Sequence, residues 1–350
     1  MPTLRRCAAG LRTAALILTG LAAAPRPAAA QSPGDAGRQD IAPPGRMVDV
    51  GGFRLHLLCT GTAEPGRATI VLSAGAGDFA VDWGLVQAAL AASTRVCSYD
   101  RAGTGWSDPG PEPRTLHQES EELGLLLRRA GEAPPYVLVG HSVGGLVVRL
   151  FQERHPGDVV GLVLVDPTHE DVRLGLRGQL VRMRTLATGR PLPPVHTLAQ
   201  SPPTLATGPE LNDCRSSAAG AEIESPFDKL SADDQRLHLW ALRHPSCLTN
   251  QDDYFADELA GIYARRQPQS LGALPLVVVA AVPADAPPGV SLDDWRREKR
   301  EHMADLAGLS SRGRVLSDSL SGHHVQLDNP RLVVDAIREV ARAAAASARR

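Results

Sequence analysis

Short apolar, β-branched runs recur along the chain, and longer stretches with helical spacing separate most of them. The runs are 46–50 (RMVDV), 54–59 (RLHLLC), 69–74 (TIVLSA), 95–100 (RVCSYD), 136–140 (YVLVG), 161–166 (GLVLVD), 275–281 (PLVVVAA) and 313–319 (GRVLSDS). From the third onward they are mostly apolar on both faces, as parallel strands buried under helices should be. Gly51-Gly52 between the first two is a hairpin signal. Between the later runs, "TLHQESEELGLLLRRAG" reads as a helix, with Thr115 and Gln118 as a capping box and Gly131 as its stop. "DWGLVQAALAAS", "GGLVVRLFQERHP" and "PRLVVDAIREVARAAAASARR" are helical as well. This alternation predicts an α/β fold: eight strands, mostly parallel, with helices on both faces and right-handed crossovers.

The rhythm breaks over 168–272, which is rich in Pro, Arg and polar residues. Helical stretches survive there at 231–243 and 252–266. The segment is expected to be a helical insertion that caps a core made of 45–167 and 273–345.

The first thirty residues stand apart. Arg5, Arg6 and Arg12 precede a short apolar run, Ala14 to Ala24, and Ala28 and Ala30 follow at the spacing of a signal-peptidase site. That pattern predicts a cleaved secretory signal, hence a secreted or periplasmic protein with no stable membrane anchor. Residues 31–44 read as a polar, disordered leader. Loss of the signal removes four arginines, leaving 33 basic against 39 acidic side chains, a formal charge of −6. Such a surface has nothing to offer a nucleic acid or an anionic membrane. Export also puts Cys59, Cys97, Cys214 and Cys247, an even number, in an oxidising compartment. No CxxC or His/Cys spacing suggests zinc, and no cofactor is expected.

The candidate chemistry begins at Gly140-His141-Ser142-Val143-Gly144, a G-x-S-x-G between a buried run and a helix. A strained turn there lifts the Ser142 hydroxyl above the sheet edge. The glycines allow strand and helix to approach closely. The helix start supplies a positive end, with the Val143 N–H as one oxyanion donor. A hydroxyl nucleophile needs a base. His323, in "SGHHVQLDNP" after the last strand, is read as that base, with His324 its competitor. The Gly-rich "SAGAGDFAVDW" (73–83) follows the third strand; Gly75 would allow a turn that aims the Ala76 N–H at the same oxyanion.

Over 46–340 the chain resembles the α/β-hydrolase superfamily. The resemblance rests on "YDRAGTGWSDPGP" (99–111), "PYVLVGHSVGG" (135–145), "GLVLVDPTHED" (161–171) and "GHHVQLDNP" (322–330). It implies a base that is the first His after the Gly and seven residues before the Pro, which fits His323 and not His324. Many members carry His-Gly at the oxyanion loop where this chain has Ala74-Gly75. It implies acyl transfer: attack by Ser142, His323 as base, and an acyl-enzyme released by water. The acid that orients the base usually follows the seventh strand, where Asp285 stands. The competitor is Asp166, just past the sixth, where some lipases of the fold carry theirs. The family's strand order makes the second and fourth strands neighbours, implying a Cys59–Cys97 disulfide and leaving Cys214 and Cys247 to pair within the insertion. The Ser142 nucleophile argues against epoxide hydrolase or dehalogenase chemistry. Aminopeptidase, lactonase and cofactor-free haloperoxidase chemistry stay open, as does a non-catalytic binding protein. An insertion carrying Trp240, Tyr254, Phe255 and Tyr263 would roof the site and suit a small, moderately apolar ester or amide. No protein partner is implied.

Overall fold

The computed structural model describes residues 41–176, 179–187, 202–248 and 255–348. The expected signal segment, most of the leader and Tyr254 lie outside them. The strands are β1 Arg46–Asp49, β2 Arg54–Thr60, β3 Thr69–Ser73, β4 Val96–Tyr99, β5 Tyr136–His141, β6 Val159–Val165, β7 Arg173–Leu176, β8 Gln179–Arg182, β9 Leu276–Ala281 and β10 Gly313–Asp318. Eight of them form one sheet in the order β1-β2-β4-β3-β5-β6-β9-β10, and β7 and β8 pair by themselves. Only the β1–β2 and β2–β4 pairings in the main sheet are antiparallel. The helices are α1 Gly84–Ala91, α2 Leu116–Ala130, α3 Gly144–Arg154, α4 Met183–Ala187, α5 Gly208–Ala219, α6 Ala232–Arg243, α7 Phe255–Arg265, α8 Leu292–Ala307, α9 Val325–Asp328 and α10 Pro330–Ala348.

The apolar strands alternate their side chains between two cores. Leu138, Leu162, Leu164 and Val278 point to one face and meet Leu123 and Leu127 of α2, Phe151 of α3 and Met303 of α8. Val137, Val139, Val163, Val165, Val277 and Val279 point to the other and meet Val86 of α1 and Val333 and Ile337 of α10. This is the period-2 geometry of a strand, doubled because helices cover both faces.

Local signals hold where backbone chemistry demands them. Thr115 caps α2 by accepting from the Gln118 N–H, and Gly131 ends the helix at φ 73°. The Gln118 side chain does not complete the expected box; it donates to Glu122 Oε1 at 2.9 Å. Gly51 and Gly52 turn the β1–β2 hairpin with positive φ, and both N–H groups donate to Asp49 Oδ1. Cys59 and Cys97 are direct partners in the β2–β4 ladder. Their sulfurs lie at disulfide distance (2.05 Å), as do those of Cys214 and Cys247 in the insertion (2.00 Å). The insertion is not wholly helical, because the β7–β8 hairpin precedes α4. Among the described residues, no helix is long and apolar enough to cross a membrane.

Candidate active site

Ser142 occupies the corner between β5 and α3 with φ 51°, a left-handed conformation that costs a non-glycine residue about 1–3 kcal/mol. The corner is held from outside. The Ser142 N–H donates to Val165 O at the end of β6, and its carbonyl accepts from the Gly145 and Thr168 N–H groups. A side chain at Gly140 would meet Gly144 O at 2.4 Å, and one at Gly144 would meet Ser73 O at 2.4 Å. Both glycines are therefore required by the close passage of β3, β5 and α3. The Ser142 hydroxyl lies 3.4 Å from Thr168 Oγ1.

Asp166 follows β6 directly and also takes a left-handed backbone, φ 39°, which Asp tolerates better than most residues. It is 2% exposed. Its N–H donates to Val279 O at 2.7 Å, and its Oδ1 accepts from the Ala281 N–H at 2.9 Å. Its Oδ2 lies 2.7 Å from His323 Nδ1 and accepts from Lys299 Nζ at 2.8 Å. Burial alone would raise this carboxyl. The hydrogen bond to His323 and the Lys299 charge outweigh it and hold the group below the usual carboxylate range.

The structure thus corrects the expectation for Asp285. That residue is exposed in the turn after β9 and does not meet His323. In that turn Pro283 O accepts from Arg296 Nε of the following helix at 2.9 Å. The helix after it, α8, brings Lys299 to the site instead.

His323 projects from the β10–α9 loop with its side chain about half exposed (49%). Asp318 braces that loop by accepting from Leu320 N, Ser321 Oγ and Asn329 Nδ2. The neighbouring His324 turns the other way, its Nε2 lying 3.2 Å from Asp78 Oδ1. His141 bridges the remaining gap: its Nδ1 is 2.8 Å from Asp78 Oδ2 and its Nε2 is 3.0 Å from the His323 carbonyl. Burial would raise the Asp78 carboxyl, but its two histidine partners hold it well below the usual range. Asp78, His141 and His324 offer ligand atoms within 4.8 Å of one another and could hold a metal ion. As placed, Asp78 is hydrogen-bonded to both histidines.

The Gly-rich loop after β3 is clamped. Arg101, 8% exposed, donates to Ala74 O and Gly75 O at 2.5 and 2.6 Å, and the Gly75 N–H donates to Asp78 Oδ2 at 3.2 Å. A side chain at Gly75 would strike Asp78 and His141 at 2.7 Å. Ala76 follows at the surface of a cavity of about 380 Å³ that also holds Ser142, His141, Asp78, His323 and His324. Val143 is the N-cap of α3. Neither the Val143 nor the Ala76 N–H donates to another backbone group among the described residues.

The insertion closes the cavity with Ala221, Glu222, Glu224, Phe227, His238 and Leu242. Two of its other aromatics belong to packing clusters. Trp240 stacks on Trp106 at 4.5 Å, and Phe255 joins the apolar cluster of Leu146, Val147 and Met183. The sequence reading missed Lys299, Arg101, Asp78, Thr168 and Phe227. Arg101 and Asp78 stood in motifs already singled out; nothing in the sequence marked Lys299.

Residues 70–336 match the family model described as the alpha/beta hydrolase family. The chain belongs to that family. An AB hydrolase superfamily protein of Gibberella zeae is 26% identical over 292 residues, 79% of this chain and 87% of that one. The chain spans only 18%, 41% and 29% of three other curated relatives that it matches. Among solved structures, an esterase from Thermogutta terrifontis aligns with TM-score 0.52 and 20% identity over 85% of this chain and 98% of its own. An enol-lactonase from Burkholderia xenovorans aligns with TM-score 0.53 and 16% identity, over 84% and 99%. At these identities the structural likeness speaks for the fold.

Proposed function

We propose that this hydrolase cleaves an ester or amide of a small, moderately apolar substrate through a Ser142 acyl-enzyme. One observation carries the proposal. A serine held in a left-handed strand–helix corner shares a cavity with a histidine whose Nδ1 is met by a buried Asp166. In the proposed cycle His323 takes the proton as the Ser142 oxygen adds to the carbonyl carbon. The oxyanion is met by the Val143 and Ala76 N–H groups, and Arg101 supports the Ala76 turn from behind. His323 then returns the proton to the departing alcohol or amine. Water then gives a proton to His323 as it adds to the acyl carbonyl, and His323 returns that proton to the Ser142 oxygen as the carbonyl–serine bond breaks and the acid leaves. Asp166 holds the His323 tautomer and offsets the imidazolium charge.

A narrower reading, a substrate with a cationic or amino group, is favoured by Glu222 and Glu224. Both are exposed at the cavity, and neither forms an ion pair among the described residues. Asp78, by contrast, is engaged by histidines. The test compares p-nitrophenyl esters of graded chain length with aminoacyl p-nitroanilides. Ser142→Ala should abolish turnover with the fold intact. His323→Ala should be about as damaging, because the two act as a unit, and His324→Ala much less so. Ser142-independent turnover would sink the proposal.

A further inference from the structure

His141 has an acceptor at each ring nitrogen. Its Nδ1 lies 2.8 Å from Asp78 Oδ2, and its Nε2 lies 3.0 Å from the His323 carbonyl. A neutral imidazole has one N–H to give. In the neutral ring one of the two contacts therefore sets a lone pair against an oxygen, at a residue only 1% exposed. A metal cation at Nδ1 removes the conflict. The ring proton then sits on Nε2 and donates to the His323 carbonyl, while the ion lies between Nδ1 and the carboxylate. His324 completes the set: its Nε2 is 3.2 Å from the second Asp78 oxygen, and ligand atoms of the three residues all lie within 4.8 Å of one another. We propose that Asp78, His141 and His324 bind a divalent transition-metal ion of the zinc class, in the wall of the cavity that holds Ser142.

The donor set selects the ion. Two imidazoles and a carboxylate suit zinc and its neighbours, whereas calcium and magnesium take oxygen ligands. The ligands also have outer support of the kind metal sites use. The His323 carbonyl orients His141 through the far ring nitrogen, and the Gly75 N–H holds Asp78 Oδ2 at 3.2 Å. Asp78 and His141 are buried, so the set closes by rotation of His324, the more exposed of the three, onto an ion at about 2.0–2.2 Å. Among the described residues the other group with metal-ligand spacing, Cys59, Cys97 and Glu132, has its two sulfurs joined in a disulfide.

The placement gives the ion a consequence. Asp78, His141 and His324 all line the cavity shared with Ser142, and Glu222 and Glu224 line it too, adding negative charge that favours a cation. An ion with three protein ligands keeps a position open to that cavity. It takes room from a substrate approaching Ser142, so it should slow hydrolysis rather than serve it. The site itself does not depend on the acyl-enzyme reading; the loss of turnover does.

The test strips the full-length protein with a chelator and titrates it with cobalt(II), whose visible absorption reports ligation by imidazole. A band should grow to saturation at one ion per chain and disappear as zinc is added, while magnesium leaves it unchanged. Asp78→Asn and His324→Ala should each weaken cobalt binding by more than about tenfold. Circular dichroism checks both folds, and His324→Ala carries the test if Asp78→Asn is unfolded. Turnover of p-nitrophenyl acetate should fall over the same cobalt range and return with chelator. Absence of a saturable band would overturn the proposal, as would binding that the folded variants leave unchanged, or turnover unchanged or raised at saturation. If the metal-free protein shows no Ser142-dependent turnover, the acyl-enzyme reading fails instead, and the absorption titration still judges the site.

Discussion

β6 and β9 lie side by side, both are runs of buried aliphatics, and each is followed by an aspartate. The two aspartates have opposite fates. Asp166 comes immediately after its strand and is locked by the Ala281 N–H, Lys299 and His323. Asp285 comes four residues after its strand, in a Pro-rich turn, and is exposed. The end of β9 still contributes to the site, but through a backbone N–H and, by way of α8, a cation. The two strand ends together build an ion pair beside His323. A carboxylate is recruited by the donors its neighbours aim at it rather than by its place in a motif.

The sharpest way to break this comparison is to exchange the functions of the two aspartates. Asp166→Asn should cost on the order of 10⁴-fold in kcat, as the matching change does in a serine protease, because the imidazole loses its orienting acceptor. Steady-state kinetics on a p-nitrophenyl ester measure it. A loss below tenfold would end the case for Asp166.

Next in size is the framework of the turn that carries Asp166. Glu170, fully buried, takes both Arg149 guanidinium nitrogens at 2.9 Å, and Arg266 Nε lies 3.3 Å from it. Glu170→Ala leaves Arg149 uncompensated and should destabilise the fold by about 3–5 kcal/mol in denaturant titrations. The pH dependence has a definite sign. Burial would raise the Glu170 carboxyl, but Arg149 pulls it down to about 2, from an ordinary value of 4.5. Its contribution is therefore fully present above about pH 4.5 and is lost as pH falls from there through about 2. Glu170→Gln should flatten the stability curve in that window; an unchanged acid limb would show that the ion pair contributes nothing.

The smallest effect is expected at the other strand end. Asp285→Asn should leave turnover unchanged and shift stability by no more than about 0.5 kcal/mol. A large kinetic loss there would restore Asp285 as the acid and remove the contrast between the two turns.

Much of the frame was legible in order of residues alone. All eight strands of the main sheet were marked by short runs of strand formers; β3, β5 and β9 stand out most, because a strand buried at every position leaves an unbroken hydrophobic signature. Thr115 and Gly131 bounded α2 because caps are local backbone chemistry. Gly140, Ser142 and Gly144 announced the serine corner because close backbone passage excludes any side chain. The β7–β8 hairpin was not seen, since four-residue strands with half-exposed faces leave little pattern in a polar segment.

The order of residues was enough to mark the individual strands, the Gly-Ser-Gly corner at Ser142 and the loop that carries His323, since each is signalled by residues within a few places of one another. Tertiary structure alone decided which aspartate meets His323, which histidine turns toward Asp78, and that Lys299 reaches Asp166 across 133 positions. Those contacts join separate strand ends and a helix. Their geometry follows from how the turn after β9 bends and where α8 docks, and no local spacing records either.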